Sequence, residues 1–260
     1  MTSYLDDDPA DARAADPRYR YRPGDPLPDR VRVTRIEASG LGFARSGRQI
    51  LDDVSLEAYA GEALAVTGPS GSGKSSLLAI LAGLERADQG EVLVDDQPMA
   101  GGVPRGYALV LQGYGLVSVL TAAENVEVVL QGLGLSRREL RDRAGAVLEA
   151  VGLDDVADHL VEQLSGGQQQ RVAVARALVV EPAVLVADEF TAELDADSRG
   201  HVLNLVLGVA RRGGLVVIAT HDPAVAGLCN AELRLADGRV LPAAVADPEA
   251  TGGQRNPYAP

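Results

Sequence analysis

Apolar residues along this chain are grouped in two ways, and the grouping predicts its strands. Partly alternating runs at 31–38 and 54–59 are typical of strands that bury one face. Four further runs are apolar almost throughout: EALAVTG at 62–68, ALVLQ at 108–112, AVLVAD at 183–188 and LVVIAT at 215–220. Continuous apolar runs are typical of parallel strands covered on both faces, so a mainly parallel sheet is predicted.

Apolar residues at helical spacing fill the stretches between these runs. SSLLAILAGL at 75–84 follows a strand directly and predicts a helix that ends near a glycine. The long stretch 121–180 is mostly helical in pattern and interrupts the succession of apolar strands. Alternating strands and helices predict an α/β fold, here with a helical insertion between two core strands.

The two ends of the chain differ in composition from the rest. Residues 1–29 are rich in Asp, Pro, Arg and Ala and contain few apolar residues, so we expect a disordered tail. Residues 243–260 have a similar character and are expected to form a flexible tail. One ordered domain is therefore predicted over 30–242.

Charge and cysteine content restrict the possible partners. The 260 residues carry a net charge of −13, which disfavours nucleic acid, because phosphate backbones favour clustered Lys and Arg. The same charge disfavours direct adsorption to an anionic membrane surface. The single cysteine, Cys229, fits a reducing compartment, and no apolar run approaches the length of a spanning helix. We therefore expect a cytoplasmic protein that reaches the inner face of the cell membrane through a protein partner.

A glycine-rich segment, GPSGSGKS at 68–75, joins a predicted strand to a predicted helix. Its glycines let backbone N–H groups turn inward and cradle phosphate oxygens at the helix N-terminus. Lys74 is the only lysine of the chain, and its compact ammonium passes through a narrow loop where a planar guanidinium does not fit. Lys74 is predicted to bind the β- and γ-phosphates and Ser75 to bind Mg²⁺. The alternative is a glycine-rich turn that binds nothing.

Polar side chains stand at the ends of three apolar strands. Asp188 is a candidate magnesium ligand, and Glu189 is predicted to act as a general base or to orient the attacking water. His221 can donate to the γ-phosphate and hold that acid in place. Gln112 can reach both metal and water with its side-chain amide. These residues predict a nucleotide-hydrolysing site beside the glycine loop.

Residues 164–171, LSGGQQQR, resemble the signature of the ATP-binding cassette (ABC) ATPases. The resemblance covers about residues 31–241 and implies a P-loop NTPase core with a mainly parallel sheet. It also implies an N-terminal antiparallel β portion and a helical subdomain at about 113–165. The family's motifs occur in order: the loop at 68–75, Gln112, the signature, Asp188 with Glu189, the TAELD segment ending at Asp195, and His221.

The signature of one subunit faces the γ-phosphate bound by the other in this family. The resemblance therefore implies two ATPase subunits, here a homodimer, with two ATP molecules between them. Asp195 would couple the two sites. The signature residues implied to contact the partner's nucleotide are Ser165, Gly166, Gly167 and Gln168. The loop residues implied to bind nucleotide are Gly68, Pro69, Ser70, Gly71, Ser72, Gly73, Lys74, Ser75 and Ser76.

Four positions qualify the resemblance. Phe43 stands where the family commonly has a tyrosine that stacks on adenine, and the alternative is a core residue near a strand end. Phe190 follows the catalytic glutamate where proline is usual, and Glu193 stands where a small or neutral residue is usual. Ser76 replaces a frequent threonine. We expect Mg²⁺-dependent ATPase activity to persist at a lower rate.

The segment 110–135 most resembles ATPases of the lipoprotein-releasing, macrolide-efflux and cell-division group. This resemblance implies a subunit that powers a separate integral membrane permease, contacted through the helical subdomain. Two alternatives stay open: a mechanotransmission ATPase that regulates an envelope partner without transport, and a slow or degenerate nucleotide-gated scaffold. A soluble ABC ATPase that remodels DNA or ribosomes is disfavoured by the net charge of −13.

Overall fold

The structure is a computed structural model that describes Leu27 and residues 31–241. The tails predicted at 1–29 and 243–260 lie outside these residues, apart from Leu27. Residues 31–113 and 182–241 form one compact unit, here called the sheet unit, and residues 114–181 form a second, here called the helical unit.

Ten strands and six α-helices occur in the described residues. The strands are β1 Arg35–Arg45, β2 Arg48–Tyr59, β3 Ala63–Thr67, β4 Gln89–Val94, β5 Gln97–Pro98, β6 Tyr107–Val110, β7 Val184–Asp188, β8 Leu215–Thr220, β9 Ala231–Ala236 and β10 Arg239–Val240. The helices are α1 Lys74–Leu81, α2 Ala122–Glu127, α3 Arg137–Ala150, α4 Gly166–Leu178, α5 Ala196–Arg211 and α6 Pro223–Ala226. Short 3₁₀ turns lie at Val128–Leu130, Asp154–Val156 and Val161–Gln163.

The larger sheet of the sheet unit has the strand order β10–β9–β3–β8–β7–β6. Neighbouring strands from β9 to β6 pair in parallel, and β10 alone pairs antiparallel within this sheet. Strands β7 and β8 are buried along their whole length. The continuous apolar runs therefore correctly predicted parallel strands covered on both faces.

A second, antiparallel sheet has the order β2–β1–β4–β5. Its inward side chains join those of β3, β8 and α1 in one apolar cluster. Leu41, Leu51 and Leu77 are fully buried there. Burying a leucine side chain contributes roughly 1.5–3 kcal/mol, so this cluster attaches the antiparallel sheet firmly to the strand that leads into the glycine loop.

The helical unit is organised by caps at the starts of its helices. Each of α2, α3 and α4 begins with a capping box, in which the N-cap hydroxyl accepts the N3 backbone N–H and the N3 side chain accepts the N-cap N–H. The N-caps are Thr121, Ser136 and Ser165. Short-range sequence therefore sets where these helices begin, and α2 then packs against α3 and α4. Among the described residues, no helix is both long and apolar enough to cross a membrane.

The predicted bounds of β1, β2 and α1 were wrong. Strand β1 ends at Arg45 rather than at 38, and β2 begins at Arg48 rather than at 54. Strand β1 begins at Arg35 rather than at 31, because the backbone N–H of Thr34 donates to Asp95 Oδ1 at 2.8 Å instead of to a neighbouring strand. Helix α1 ends at Leu81 rather than at 84, since Gly83 follows with a φ of 73°, a value that a right-handed helix excludes.

Two further boundaries differ around the insertion. Strand β6 ends at Val110, so Gln112 lies in the turn that follows and not on the strand. The compact helical unit runs to Glu181 rather than to about 165, because α4 packs against the helices before it. The signature helix α4 is thus part of the helical unit.

Candidate functional site

The strand register brings four predicted site segments to one edge of the parallel sheet. Asp188 pairs with Ala219, and Thr67 pairs with Thr220. The carboxyl ends of β3, β8, β7 and β6 therefore meet at the same edge, which is where ligands bind in open α/β sheets. Strands lie about 4.8 Å apart, so the end of β7 is roughly 10 Å from the start of the glycine loop.

The glycine loop adopts a backbone that other residues would strain. Gly68, Gly71 and Gly73 have φ values of 147°, 80° and 104°. A Cβ on Gly68 would lie 2.0 Å from the carbonyl oxygen of Leu235, and one on Gly73 would lie 2.7 Å from Leu51 Cδ2. Only glycine permits this loop to turn its N–H groups inward while it packs so closely against Leu235 and Leu51.

A turn between β9 and β10 supports the loop from behind. Gly238 N–H donates to Ser72 O at 3.1 Å, while Gly238 O accepts from Asp52 N at 2.8 Å. Arg239 Nε donates to Asp52 Oδ2 at 2.9 Å. Sequence reasoning missed this support, although the Asp-Gly dipeptide at 237–238 is a turn signal.

Lys74 sits inside the loop and is 7% exposed. Its Nζ donates to Gly68 O at 2.9 Å and to Pro69 O at 3.1 Å. An ammonium has three donors, so these two bonds leave one for a ligand. The buried Ser72 Oγ has no hydrogen-bond partner among the described residues. These groups fit a polyphosphate that accepts from both.

Helix α1 begins without the caps found on the helices of the helical unit. Its N-cap is Gly73, which has no side chain to bond the first N–H groups, and its first turn carries no acidic residue. Free N–H groups and an uncompensated positive helix end favour an anion at this position. Pro69, Ser70 and Ser75 are exposed here and Ser76 is half-buried, so the loop is open to a ligand.

Asp188 ends β7 and provides an oxygen that suits a divalent cation. The residue is 7% exposed, and its buried Oδ1 has no hydrogen-bond partner among the described residues. A buried carboxylate oxygen without a partner is costly unless a ligand satisfies it. Mg²⁺ prefers oxygen ligands, and the exposed Ser75 and Gln112 supply a hydroxyl and an amide oxygen at the same sheet edge. The donor set therefore fits magnesium.

Glu189 and His221 form a direct pair at the ends of adjacent strands. Glu189 Oε2 lies 2.6 Å from His221 Nδ1. A carboxylate only accepts, so Nδ1 carries the proton, and the 67% exposed ring leaves Nε2 for a further contact. Glu189 has a φ of 49°, and its N–H donates to Ala219 O at 3.0 Å. This left-handed conformation, uncommon for a non-glycine residue, aims the carboxylate at the histidine.

Phe190 anchors the chain directly after Glu189. Its side chain is 1% exposed and is among the largest fully buried side chains in the described residues. Thr191 and Leu194 in the same segment are also buried, whereas Glu193 is exposed. Apolar burial thus holds the backbone here, and it replaces the restraint that a proline ring would supply.

Asp195 has a structural role that sequence reasoning missed. It is the N-cap of α5, and its Oδ1 accepts from Ser198 N at 2.9 Å. This backbone hydrogen bond lowers the pKa of Asp195 below its ordinary value. The signal was present in the sequence, because Asp before a helical stretch is a favoured N-cap.

The signature residues begin α4 in the helical unit. Ser165 Oγ accepts from Gln168 N at 3.3 Å, and Gln168 Oε1 accepts from Ser165 N at 2.8 Å. The Ser165 hydroxyl proton and the N–H groups of Gly166 and Gly167 are not used by this capping box. The start of α4 can therefore donate to an anion while its cap stays intact.

Phe43 lies in the core of the sheet unit. It is 7% exposed, belongs to the apolar cluster and stands opposite Leu51 in the β1–β2 pair. This placement agrees with the alternative reading of Phe43 as a core residue. A face for adenine is not free in this structure, so adenine stacking stays a prediction that requires Phe43 to move.

Comparisons with known proteins agree with this architecture. The ABC transporter family matches residues 51–192. The lipoprotein-releasing system ATP-binding protein LolD 2 of Rhodospirillum rubrum is 41% identical over 218 residues, covering 80% of this chain and 94% of that relative. The macrolide export ATP-binding/permease protein MacB of Escherichia coli K12 is 39% identical over 215 residues, covering 79% of this chain and 33% of MacB. The chain thus spans nearly all of the first relative and one third of the second.

Solved structures give the same result. The dimeric structure of MJ0796, a bacterial ABC transporter cassette, matches with a TM-score of 0.74 at 34% identity, covering 79% of this chain and 96% of that one. Its post-hydrolysis state bound to ADP and Pi matches with a TM-score of 0.73 at 33% identity. The predicted fold class, an α/β core with an antiparallel β portion and a helical insertion, is confirmed.

Proposed function

Because the chain belongs to the ABC transporter family as an ATP-hydrolysing subunit, we propose that two copies of it close around two Mg²⁺–ATP molecules. One face of each nucleotide is held by the glycine loop of one copy, and the other face by the signature of its partner. The dimeric arrangement of the MJ0796 cassette supports this proposal. Hydrolysis then reopens the dimer and completes the cycle.

The observation that carries the proposal is the Glu189–His221 pair beside the glycine loop. Mg²⁺–ATP, when bound, supplies the γ-phosphoryl group and a cation that neutralises its charge. Glu189 Oε2 is bonded to His221, so Oε1 is the oxygen left to accept a proton from water. His221 fixes the carboxylate by donating its Nδ1–H to Oε2. Lys74 Nζ keeps its two loop carbonyls and donates its third hydrogen to a phosphate oxygen.

We assign the magnesium ion to Asp188, Ser75 and Gln112. Oδ1 of Asp188 is buried and unpartnered among the described residues, and it gains a ligand on binding. The signature donors of α4 and the Asp195 segment lie at the seam between copies in this proposal. The second copy is identical, so one twofold axis completes both sites at once.

The partner proposed for the dimer is a separate integral membrane permease that docks on the helical unit. Val117 and Val119 expose 44% and 77% of their surface in the loop before α2. Buried Asn125 holds this loop, accepting from Val117 N at 2.8 Å and donating to Val117 O and Thr121 O. Exposed apolar side chains on a rigid loop are typical of a protein contact. Through this contact the protein would sit at the inner face of the membrane.

Glu189→Gln tests the hydrolytic role. We expect kcat to fall by at least about 100-fold, because a positioned general base contributes at least that factor, while ATP-dependent dimerisation is retained. Steady-state ATPase assays and sizing with Mg²⁺–ATP measure the two effects. Glu91→Gln, a change at an exposed carboxylate on β4, is the matched control and should behave as wild type.

The scaffold alternative makes the opposite prediction. A degenerate cassette would bind ATP and dimerise, but its ATPase rate would be the same in the wild type and in Glu189→Gln. Turnover unchanged by this substitution would refute the assignment of the base. A mechanotransmission ATPase would hydrolyse ATP as proposed, and only reconstitution with the membrane partner and a transport assay separates it from a transporter.

A further inference from the structure

An arginine on α5 joins the two chain segments that flank the Glu189–His221 pair. Arg199 NH2 donates to Leu194 O at 3.2 Å. Arg199 NH1 lies 3.5 Å from Asp222 Oδ2. Leu194 directly precedes Asp195 in the TAELD segment, and Asp222 directly follows His221. One guanidinium thus bridges the segment that leaves Glu189 and the segment that carries its histidine.

The two ends of this bridge are themselves well held. Leu194 is 5% exposed, and Asp222 Oδ1 accepts from Ala224 N at 2.8 Å as the N-cap of α6. Asp222 N also donates to the hydroxyl of Thr220, which is 3% exposed. Arg199 therefore contacts two ordered segments, one on each side of the Glu189–His221 pair.

The side chain of Arg199 is suited to this task. Its Nε is buried, and a guanidinium holds two acceptors in a fixed planar geometry. The ion pair is partly exposed, with 41% and 29% of the two side chains accessible, so it contributes little to overall stability. Its effect should therefore appear in local geometry rather than in the unfolding midpoint.

We propose that Arg199 is a positioning residue that couples the Asp195 segment to His221, so that the placement of this segment sets the Glu189–His221 geometry. The inference rests on the proposed function, in which that segment lies at the seam between two copies. When the segment is placed by the partner copy, Arg199 carries the placement through Asp222 to His221. Closure of the dimer and alignment of the hydrolytic pair are then one event.

The test compares Arg199→Gln with Arg211→Gln. Arg211 lies on the same helix and donates to Asn204 O, within its own helix, so its variant controls for loss of an α5 arginine. Arg199→Gln should lower kcat about tenfold and change KM for ATP less than threefold, because displaced reacting groups slow chemistry more than binding. Arg199→Lys keeps the charge, and its kcat should lie between those of Arg199→Gln and Arg211→Gln.

A second substitution isolates the contact with Asp222. Asp222→Asn removes the charge but keeps an N-cap for α6, since Asn caps as well as Asp. The double variant Arg199→Gln/Asp222→Asn should lose no more kcat than Arg199→Gln alone, because both changes break one interaction. Additive losses would overturn the ion pair as the route of coupling.

The histidine itself gives a readout that needs no nucleotide. The chain has three histidines, so ring ¹⁵N resonances can be assigned with a His221→Gln variant. Arg199→Gln should shift the His221 ring signals, and Arg211→Gln should not. His159, in the helical unit, is the internal reference. If Arg199 were merely structural, Arg199→Gln would lower the unfolding midpoint without a selective shift of the His221 ring resonances.

Two further results would overturn the inference and leave the proposed function standing. In both, Glu189→Gln is inactive. In the first, Arg199→Gln keeps wild-type kcat. In the second, kcat falls while the His221 resonances stay at their wild-type positions. If Glu189→Gln keeps its turnover, the proposed function itself has failed.

Discussion

At the scale of single residues, the site depends on atoms left without partners. Oδ1 of Asp188 and Oγ of Ser72 are buried and unbonded within the described residues, and Lys74 Nζ is held only by two loop carbonyls there. Unsatisfied buried groups cost about 1–3 kcal/mol each. In the proposed function, a bound metal and polyphosphate would remove this cost, and the relief would add to ligand affinity.

The narrowness of the loop around Lys74 leads to a first residue-scale prediction. Lys74→Arg should weaken ATP binding at least about tenfold, because a planar guanidinium cannot take the place of Nζ between Gly68 O and Pro69 O. Isothermal titration with a non-hydrolysable ATP analogue measures the affinity. Arg86→Lys, the reverse exchange at an exposed residue, is the control. Unchanged affinity in Lys74→Arg would contradict the role given to the only lysine.

At the scale of elements, the helices differ in how their first turns are capped. Helices α2, α3 and α4 close their first turns with their own side chains, and α1 leaves its first turn open at Gly73. A closed cap stabilises a helix by about 1 kcal/mol, and an open one leaves N–H groups for a ligand. Local sequence sets the difference between closed and open first turns, because a cap is formed by residues within one turn.

The loop before α2 gives a prediction at this scale. Asn125→Ala should lower the free energy of unfolding by about 1–3 kcal/mol, because Val117 and Thr121 lose backbone partners at a fully buried side chain. Denaturant unfolding followed by circular dichroism measures it. Asn204→Ala, at an exposed asparagine on α5, should cost far less. Equal losses in the two variants would show that Asn125 does not hold the loop.

At the scale of the whole molecule, nucleotide binding and stability are linked. A ligand that binds only the folded state at 100 times its dissociation constant adds about 2.7 kcal/mol. For a domain of this size each kcal/mol shifts the unfolding midpoint by roughly 2–4 °C. Mg²⁺–ATP should therefore raise the midpoint of Glu189→Gln by about 5–10 °C, as measured by calorimetry.

Removal of the proposed metal ligand Asp188 should change the unfolding midpoint in opposite ways with and without Mg²⁺–ATP. In the Glu189→Gln background, Asp188→Asn should lose most of the shift that Mg²⁺–ATP produces, because a charged magnesium ligand is gone. Without nucleotide its midpoint should equal or exceed that of the parent, since an unpartnered buried carboxylate is removed. ATP with a chelator of Mg²⁺ should shift the unfolding midpoint equally in Glu189→Gln and in the double variant. A full Mg²⁺–ATP shift in Asp188→Asn would contradict the assigned ligand.

The sequence by itself determined the features that depend on neighbouring residues. The glycine loop with Lys74, the N-cap at Ser165 and the buried strands β7 and β8 are each written within a few consecutive positions. Steric limits on φ, hydrogen bonds within one turn and apolar content decide such features locally. The order of the motifs also predicted the fold class and the family.

Only the tertiary structure decided which distant residues meet. The order β3–β8–β7 brings His221 against Glu189, and it could not be read from periodicity, because apolar runs do not specify which strands are neighbours. The same holds for the support of the loop by Gly238, for the bridge through Arg199 and for the burial of Phe43. Contacts between residues far apart in the chain arise from packing of whole elements, and short sequence patterns carry no record of that packing.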